Sequence, residues 1–133
     1  MLVDDSIVRG NTARALVKLA RDAGALQAGF ASTSPPLISP CPYGIDMATK
    51  NEFIARGRTV DEVRRELGAD ALVYLELEEM EAAARKGNEK IERFCTACFT
   101  GDYPTGDITP EMLSSIERER LEVQEALAAK GGG

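Results

Sequence analysis

The sequence contains no histidine, which removes the commonest general base and every Ser-His or Cys-His nucleophilic pair. Chemistry here has to rest on carboxylates, a metal or a cofactor. A basic stripe is also missing. The 16 basic and 22 acidic residues leave a net charge of −6, which argues against a broad nucleic-acid surface, because phosphate backbones are bound by clustered Lys and Arg. Any anion site must then be local. No apolar run is long enough to cross a bilayer, and Met1 leads into Leu2-Val3-Asp4-Asp5 rather than into a basic stretch and an apolar signal region. No membrane partner and a cytoplasmic location are the default expectations. Cysteine is scarce. Three residues, including the pair Cys95-x-x-Cys98, do not make a disulfide framework in a reducing compartment. They read as metal or cluster ligands, one short of four, or as ordinary buried thiols.

What is present suffices for one compact α/β unit: 133 residues, 44% of them hydrophobic, without the low-hydrophobicity signature of disorder. Leu2 and Val3 read as the end of a buried strand. Ala15, Leu16, Leu19, Ala20 and Ala23 recur at helical spacing within a helix expected over 12–23, which Gly24 would stop. A short strand is expected over 26–32. Four prolines (Pro35, Pro36, Pro40 and Pro42) then forbid regular structure across 33–43 and make a fixed loop that carries Cys41. A short helix is expected over 51–55. Thr59-Val60-Asp61-Glu62 has the form of a capping box opening a helix that Gly68 ends, with Val60, Val63 and Leu67 on its apolar face. A strand over 71–75 and a helix over 76–86 follow. Thr109-Pro110 starts a charged surface helix over 111–130 that thins into a glycine tail. Three stretches result: 1–50, 51–108 and 109–133.

The opening segment is the most informative. A strand ending in two carboxylates, then a small-residue turn and a helix start, presents unpaired backbone N–H groups and a positive dipole end to an anion. The adjacent carboxylates would be repelled by a phosphate and suit sugar hydroxyls or a Mg²⁺ ion beside a pyrophosphate. Taken alone, two aspartates after a strand are ordinary turn residues. Arg9 reads equally as a phosphate clamp or as an exposed arginine paired with a nearby carboxylate. Tyr43, Gly44 and Asp46 read as a structural turn behind the cysteine loop. The Glu-rich helices around 76–81 and 117–125 read as solvated faces.

The string Val3-Asp4-Asp5-Ser6-Ile7-Val8-Arg9-Gly10 resembles the phosphoribosyl pyrophosphate (PRPP) motif of type I phosphoribosyltransferases, as it stands in the amidophosphoribosyltransferase family. Its company narrows the resemblance to that family: Ser34-Pro35-Pro36, the run Cys41-Pro42-Tyr43-Gly44-Ile45-Asp46-Met47, and the run from Phe94 to Pro104 containing Cys95 and Cys98. The resemblance implies the C-terminal part of a type I phosphoribosyltransferase fold, a parallel sheet flanked by helices, with a helical C-terminal extension. It implies that Asp4 and Asp5 meet the ribose hydroxyls and the associated Mg²⁺, while Ser6, Ile7, Val8, Arg9, Gly10, Asn11 and Thr12 wrap the 5-phosphate. Asn11 stands where the family usually has threonine, but its amide can still donate. In cluster-bearing members, cysteines at the positions of Cys41, Cys95 and Cys98 ligate a [4Fe-4S] cluster, with the fourth ligand upstream.

The expected activity of the intact protein is glutamine-dependent formation of phosphoribosylamine from PRPP, with purine nucleotides as feedback inhibitors and a homo-oligomeric assembly. The abrupt opening strand suggests that a glutaminase domain and the first half of the phosphoribosyltransferase domain precede it in the intact protein. The chain alone is then expected to be inactive and to hold a cluster poorly. Two rivals are a base-using phosphoribosyltransferase, which has no reason to carry the later cysteine loops, and a noncatalytic iron–sulfur or nucleotide-binding module.

Overall fold

The computed structural model describes residues 1–44 and 49–130. Asp46 of the expected structural turn and the glycine tail over 131–133 lie outside the described residues. Three strands, β1 (Leu2–Asp4), β2 (Gly29–Ser32) and β3 (Ala71–Tyr74), form a parallel sheet in the order β1-β2-β3. Parallel neighbours need crossover connections. They are supplied by α1 (Asn11–Asp22) between β1 and β2, and by α2 (Val60–Leu67) between β2 and β3. The remaining helices are α3 (Leu77–Arg85), the single turn α4 (Ala97–Thr100) and α5 (Pro110–Lys130), and a 3-10 turn spans Lys50–Glu52.

The register sorts the strand side chains into two faces. Leu2, Phe30 and Leu72 pair across the sheet, as do Asp4, Ser32 and Tyr74. This face is covered: α1 lies against β2, α2 against β3, and the two helices touch. The core joins Phe30 to Ala13 and Val17 of α1, Val63 and Leu67 of α2, and Ile7 and Ile54 from the loops, with Leu2, Leu16, Leu72 and Tyr74 packed around it. Ser32 is the one buried polar side chain among the described residues. Its hydroxyl is satisfied by the Ser34 carbonyl oxygen at 2.9 Å, which fixes the first turn of the Ser34-Pro35-Pro36 loop.

The other face carries Val3, Ala31 and Val73 in register, and none of the described residues sheathes it; Val3 is 66% and Val73 54% exposed. The expectation that Leu2 and Val3 end a buried strand therefore holds for one face only. β1 is an edge strand, and Val3 projects from the side that no helix covers.

Most elements begin and end within a few residues of expectation. α2 opens on the Thr59 capping box, with the Thr59 N–H donating to Glu62 at 2.7 Å, and ends at Gly68 in the left-handed region (φ 70°). The apolar stripe of α1 differs. The residues turned inward are Ala13, Leu16, Val17 and Ala20, whereas Ala15 and Ala23 are exposed and Leu19 is 64% exposed. The same i, i+3, i+4, i+7 spacing fits both stripes, and the one led by Ala13 faces the sheet. Val60 is likewise exposed at the helix mouth. The strand expected over 26–32 is confined to Gly29–Ser32, since Leu26 is fully in solvent. The short helix expected over 51–55 is only the 3-10 turn, with Phe53 extended and both Phe53 and Ile54 buried. α4 has no counterpart in the sequence reading, being a single turn of four residues.

Candidate anion loop and cysteine loops

β1 ends at the carboxyl edge of the sheet, the side on which open α/β sheets bind ligands. The chain turns there on local carboxylate bonds. The Asp5 N–H donates to Asp4 Oδ1 at 2.9 Å, and the Ser6 hydroxyl donates to Asp5 Oδ1 at 3.1 Å. From β2, the Thr33 N–H donates to the Asp4 carbonyl oxygen at 2.9 Å, and its hydroxyl reaches the Asp5 carbonyl oxygen at 3.4 Å. Asp4 is half-buried and Asp5 exposed, so both carboxylates sit at the sheet edge.

The loop then anchors itself by alternation. Ile7 is buried in the main core, leaving only its backbone to face a ligand, and Val8 packs with Leu37 and Phe53 in a second apolar cluster. Ser6, Arg9, Asn11 and Thr12 remain at the surface side of this anchored ribbon. Gly10 closes the loop at φ 76° as the N-cap of α1, and no side chain caps that helix. The first turn of α1 carries no acidic residue. Its backbone donors therefore have neither a capping oxygen nor a competing carboxylate, which is the state in which a helix start accepts an anion. The sequence-derived residues from Asp4 to Thr12 thus form one contiguous ribbon at one edge of the sheet.

Arg9 is paired. Its Nε lies 2.7 Å from Glu52 Oε1 and its Nη2 donates to Glu52 Oε2 at 3.1 Å, a two-pronged contact. Glu52 also accepts from the N–H of Thr49 at 2.8 Å and from its hydroxyl at 2.9 Å. The Arg9 guanidinium and the Thr49 donors hold the Glu52 carboxyl below its ordinary range. Two further contacts come from the same segment. The Ile54 N–H donates to the Val8 carbonyl oxygen at 2.9 Å, and Ile54 Cδ1 lies where a Cβ on Gly10 would sit, 2.5 Å away. The pairing of Arg9 with a carboxylate was one of its two sequence readings, whereas the identity of the partner and the Ile54 contacts were not legible. The Thr49-x-x-Glu52 spacing, the same as that of Thr59-x-x-Glu62, was the available signal.

The cysteines gather in a second region. The N–H groups of Ile38 and Ser39 both donate to the Cys98 carbonyl oxygen, at 2.9 and 3.1 Å. The Tyr103 hydroxyl donates to the Pro40 carbonyl oxygen at 2.8 Å, and the hydroxyls of Tyr43 and Thr105 are 2.8 Å apart. Tyr43 and Tyr103 meet edge to face at 6.2 Å. These bonds staple the Cys41 loop to the Cys95–Cys98 loop, and Leu113, Ile116, Glu117 and Arg120 of α5 line a small pocket together with Cys41. α5 is therefore not purely a surface helix, since Leu113 is buried. Burial pushes the Cys98 thiol up, and the nearby Cys41 and Cys95 add to the shift. All three sulfurs are free thiols sharing one neighbourhood. Among the described residues no three His, Cys, Asp or Glu side chains are gathered closely enough to hold a metal ion. Thiols are the donor type that an iron–sulfur cluster takes, but these three are not gathered as the ligands of one metal centre.

No protein-family model matches the sequence. Curated relatives do. The chain is 47% identical over 123 residues to an amidophosphoribosyltransferase of Pasteurella multocida, covering 92% of this chain and 24% of that protein. It is 50% identical over 122 residues to that of Methanothermobacter thermautotrophicus, covering 90% and 24%. With the Bacillus subtilis protein the identity is 46% over 122 residues, covering 91% and 26%. Among solved structures, a glutamine PRPP amidotransferase from B. subtilis complexed with ADP and GMP superposes with a TM-score of 0.68 at 47% identity, covering 77% of this chain and 23% of that one. A structure described as the allosteric regulatory enzyme of purine biosynthesis matches with the same score at 45% identity, covering 77% and 22%. The parallel sheet with its flanking helices is thus the phosphoribosyltransferase-type arrangement of these neighbours. Over about nine-tenths of its length the chain is homologous to curated amidophosphoribosyltransferases, and it spans about a quarter of the length of the relatives it matches.

Proposed function

We propose that these residues supply the sugar-phosphate half of the PRPP site of a glutamine-dependent amidophosphoribosyltransferase, the enzyme that makes 5-phosphoribosylamine at the first step of purine biosynthesis. One observation carries this reading: the ribbon from Asp4 to Thr12 runs from the carboxyl edge of β1 into an uncapped helix start, with two carboxylates at its entrance. The backbone donors at Gly10, Asn11 and Thr12 suit the 5-phosphate, with the hydroxyls of Ser6 and Thr12 and the Asn11 amide within the same ribbon. Asp4 and Asp5 suit the ribose hydroxyls, which donate to them, and a Mg²⁺ ion. That ion, when bound, would offset charge on the departing pyrophosphate.

In the reaction, ammonia released from glutamine attacks the anomeric carbon of PRPP. The carbon–oxygen bond to pyrophosphate breaks, and pyrophosphate departs with the bonding pair. The nitrogen then loses a proton to give phosphoribosylamine. The part assigned to this chain is orientation, because a phosphate held at the start of α1 and hydroxyls held at Asp4 and Asp5 fix both ends of the ribose. Cys41, Cys95 and Cys98 would supply three thiolates to a [4Fe-4S] cluster, which when bound would tie the two cysteine loops together covalently. Purine nucleotides as inhibitors, a cytoplasmic location and a homo-oligomeric intact enzyme belong to the same reading.

The test is a titration of the chain with PRPP and Mg²⁺, followed by ³¹P and amide NMR. Saturable shifts at Gly10, Asn11 and Thr12 are expected, with affinity lowered at least tenfold, about 1.4 kcal/mol, by the double substitution Asp4→Asn, Asp5→Asn. Binding that ignores both aspartates and the loop would reject the assignment. The chain by itself is expected to form no phosphoribosylamine; measurable turnover would show that the half-site description is wrong.

A further inference from the structure

We propose that Glu52 is a positioning residue for the anion loop, acting through Arg9, so that Arg9 is a latch rather than a phosphate ligand. The inference rests on the loop's being the phosphate site, and it concerns a residue outside that loop. Three independent contacts converge from the segment Thr49–Ile54. The Glu52 carboxylate takes both prongs of the Arg9 guanidinium. The Ile54 N–H holds the Val8 carbonyl oxygen. The Ile54 side chain packs under Gly10, with Leu67 of α2 as the second neighbour of that position. Together they grip successive loop residues 8, 9 and 10 immediately before α1 begins.

The orientation of Arg9 follows from Glu52's own anchoring. Glu52 is held by the N–H and hydroxyl of Thr49, so it is a fixed acceptor rather than a mobile surface carboxylate. A guanidinium engaged at Nε and Nη2 by a fixed partner has committed its side edge and one of its two bidentate grips to Glu52, leaving only the Nη1 end for any other acceptor. Charge supplied to the bound anion then comes from the backbone donors of α1, and Arg9 serves to keep the Val8–Gly10 backbone turned toward them.

The experiment uses the 133-residue chain with ribose 5-phosphate as the probe, in Glu52→Gln, Arg9→Gln, the double variant, and a control, Glu62→Gln. The control removes the matching carboxylate contact to Thr59, the N-cap of α2, a contact that includes no residue of the loop. Two quantities are read: the dissociation constant, and hydrogen exchange of the Ile54 and Arg14 amides, whose acceptors are the Val8 and Gly10 carbonyl oxygens. The expected result is a three- to fivefold weakening for Glu52→Gln, the size of an exposed ion pair's contribution, the same for Arg9→Gln, and no further loss in the double variant. Exchange at Ile54 and Arg14 should quicken in all three, while Glu62→Gln leaves both quantities unchanged. Unchanged affinity in Glu52→Gln, or an Arg9→Gln loss that exceeds it and adds to it, overturns the proposal. If the unsubstituted chain fails to bind ribose 5-phosphate, the phosphate assignment falls. The latch is then decided by exchange alone, and unchanged protection in Glu52→Gln overturns it.

Discussion

Gly10 shows how much a single residue can determine. It combines a left-handed backbone (φ 76°) with an Ile54 methyl 2.5 Å from where its Cβ would be. The sequence showed only a small-residue turn before the helix; the left-handed φ comes from the structure, and so does the close approach, because Ile54 lies 44 residues on. Gly10→Ala should destabilise by about 1–3 kcal/mol from backbone strain alone, measured by urea unfolding, and should displace Ile54 from beneath the loop. Tyr74 predicts the opposite sign. Its hydroxyl is buried with no partner among the described residues, and burial pushes its pKa up to about 12. An unsatisfied buried donor is a cost. Tyr74→Phe should therefore be neutral or stabilising by up to about 1 kcal/mol, checked by the same unfolding curve. The aspartates and cysteines were singled out from the sequence because each sits in a contiguous string of recognisable chemistry. Glu52 was not, since its significance comes from Arg9, 43 residues away.

At the scale of elements, helix starts were read well where chemistry marks them and faces were read less well. The Thr59 capping box placed α2 to the residue, and Thr59→Ala should cost about 1 kcal/mol, seen as a lowered midpoint in thermal unfolding. For α1 the spacing alone allowed two stripes, and only the presence of Phe30 beneath the helix chooses the one led by Ala13. The 3-10 turn and α4 carry too few residues for any periodicity to show. Two sheet positions make the asymmetry of the faces measurable. Phe30→Ala, on the covered face with no exposure, should cost about 3–5 kcal/mol. Val73→Ala, one column over on the open face, should change stability by less than about 0.5 kcal/mol.

For the molecule as a whole, four carboxylates share a direction. Glu52 is lowered first by the Arg9 hydrogen bond, Asp61 by that of Arg64, Glu62 by the Thr59 N–H, and Asp70 by the Ala28 N–H at 2.6 Å. Each folded pKa lies below its unfolded value, so the unfolded chain binds more protons in acid and the stabilisation is complete above about pH 5. Thermal midpoints should hold steady from pH 8 to 5 and fall as pH drops through the folded values. Arg21 carries one of these contacts across elements: its Nη2 reaches both Asp70 and the Gly68 carbonyl oxygen, tying α1 to the end of α2. The layered order of sheet and helices was legible from alternating strand and helix patterns. The half-covered state of the sheet was not, because Val3, Ala31 and Val73 read as interior residues in any parallel strand.

That bare column of Val3, Ala31 and Val73, extended by Met1, has a practical meaning for anyone handling the chain in solution. Parallel sheets are ordinarily sheathed on both sides, so this patch should bind a hydrophobic fluorophore such as anilinonaphthalene sulfonate while the helices remain fully folded. Fluorescence enhancement accompanied by native circular dichroism would then report an intact surface rather than a molten one. Val3→Lys together with Val73→Lys should quench the signal and raise the concentration at which the chain stays clear.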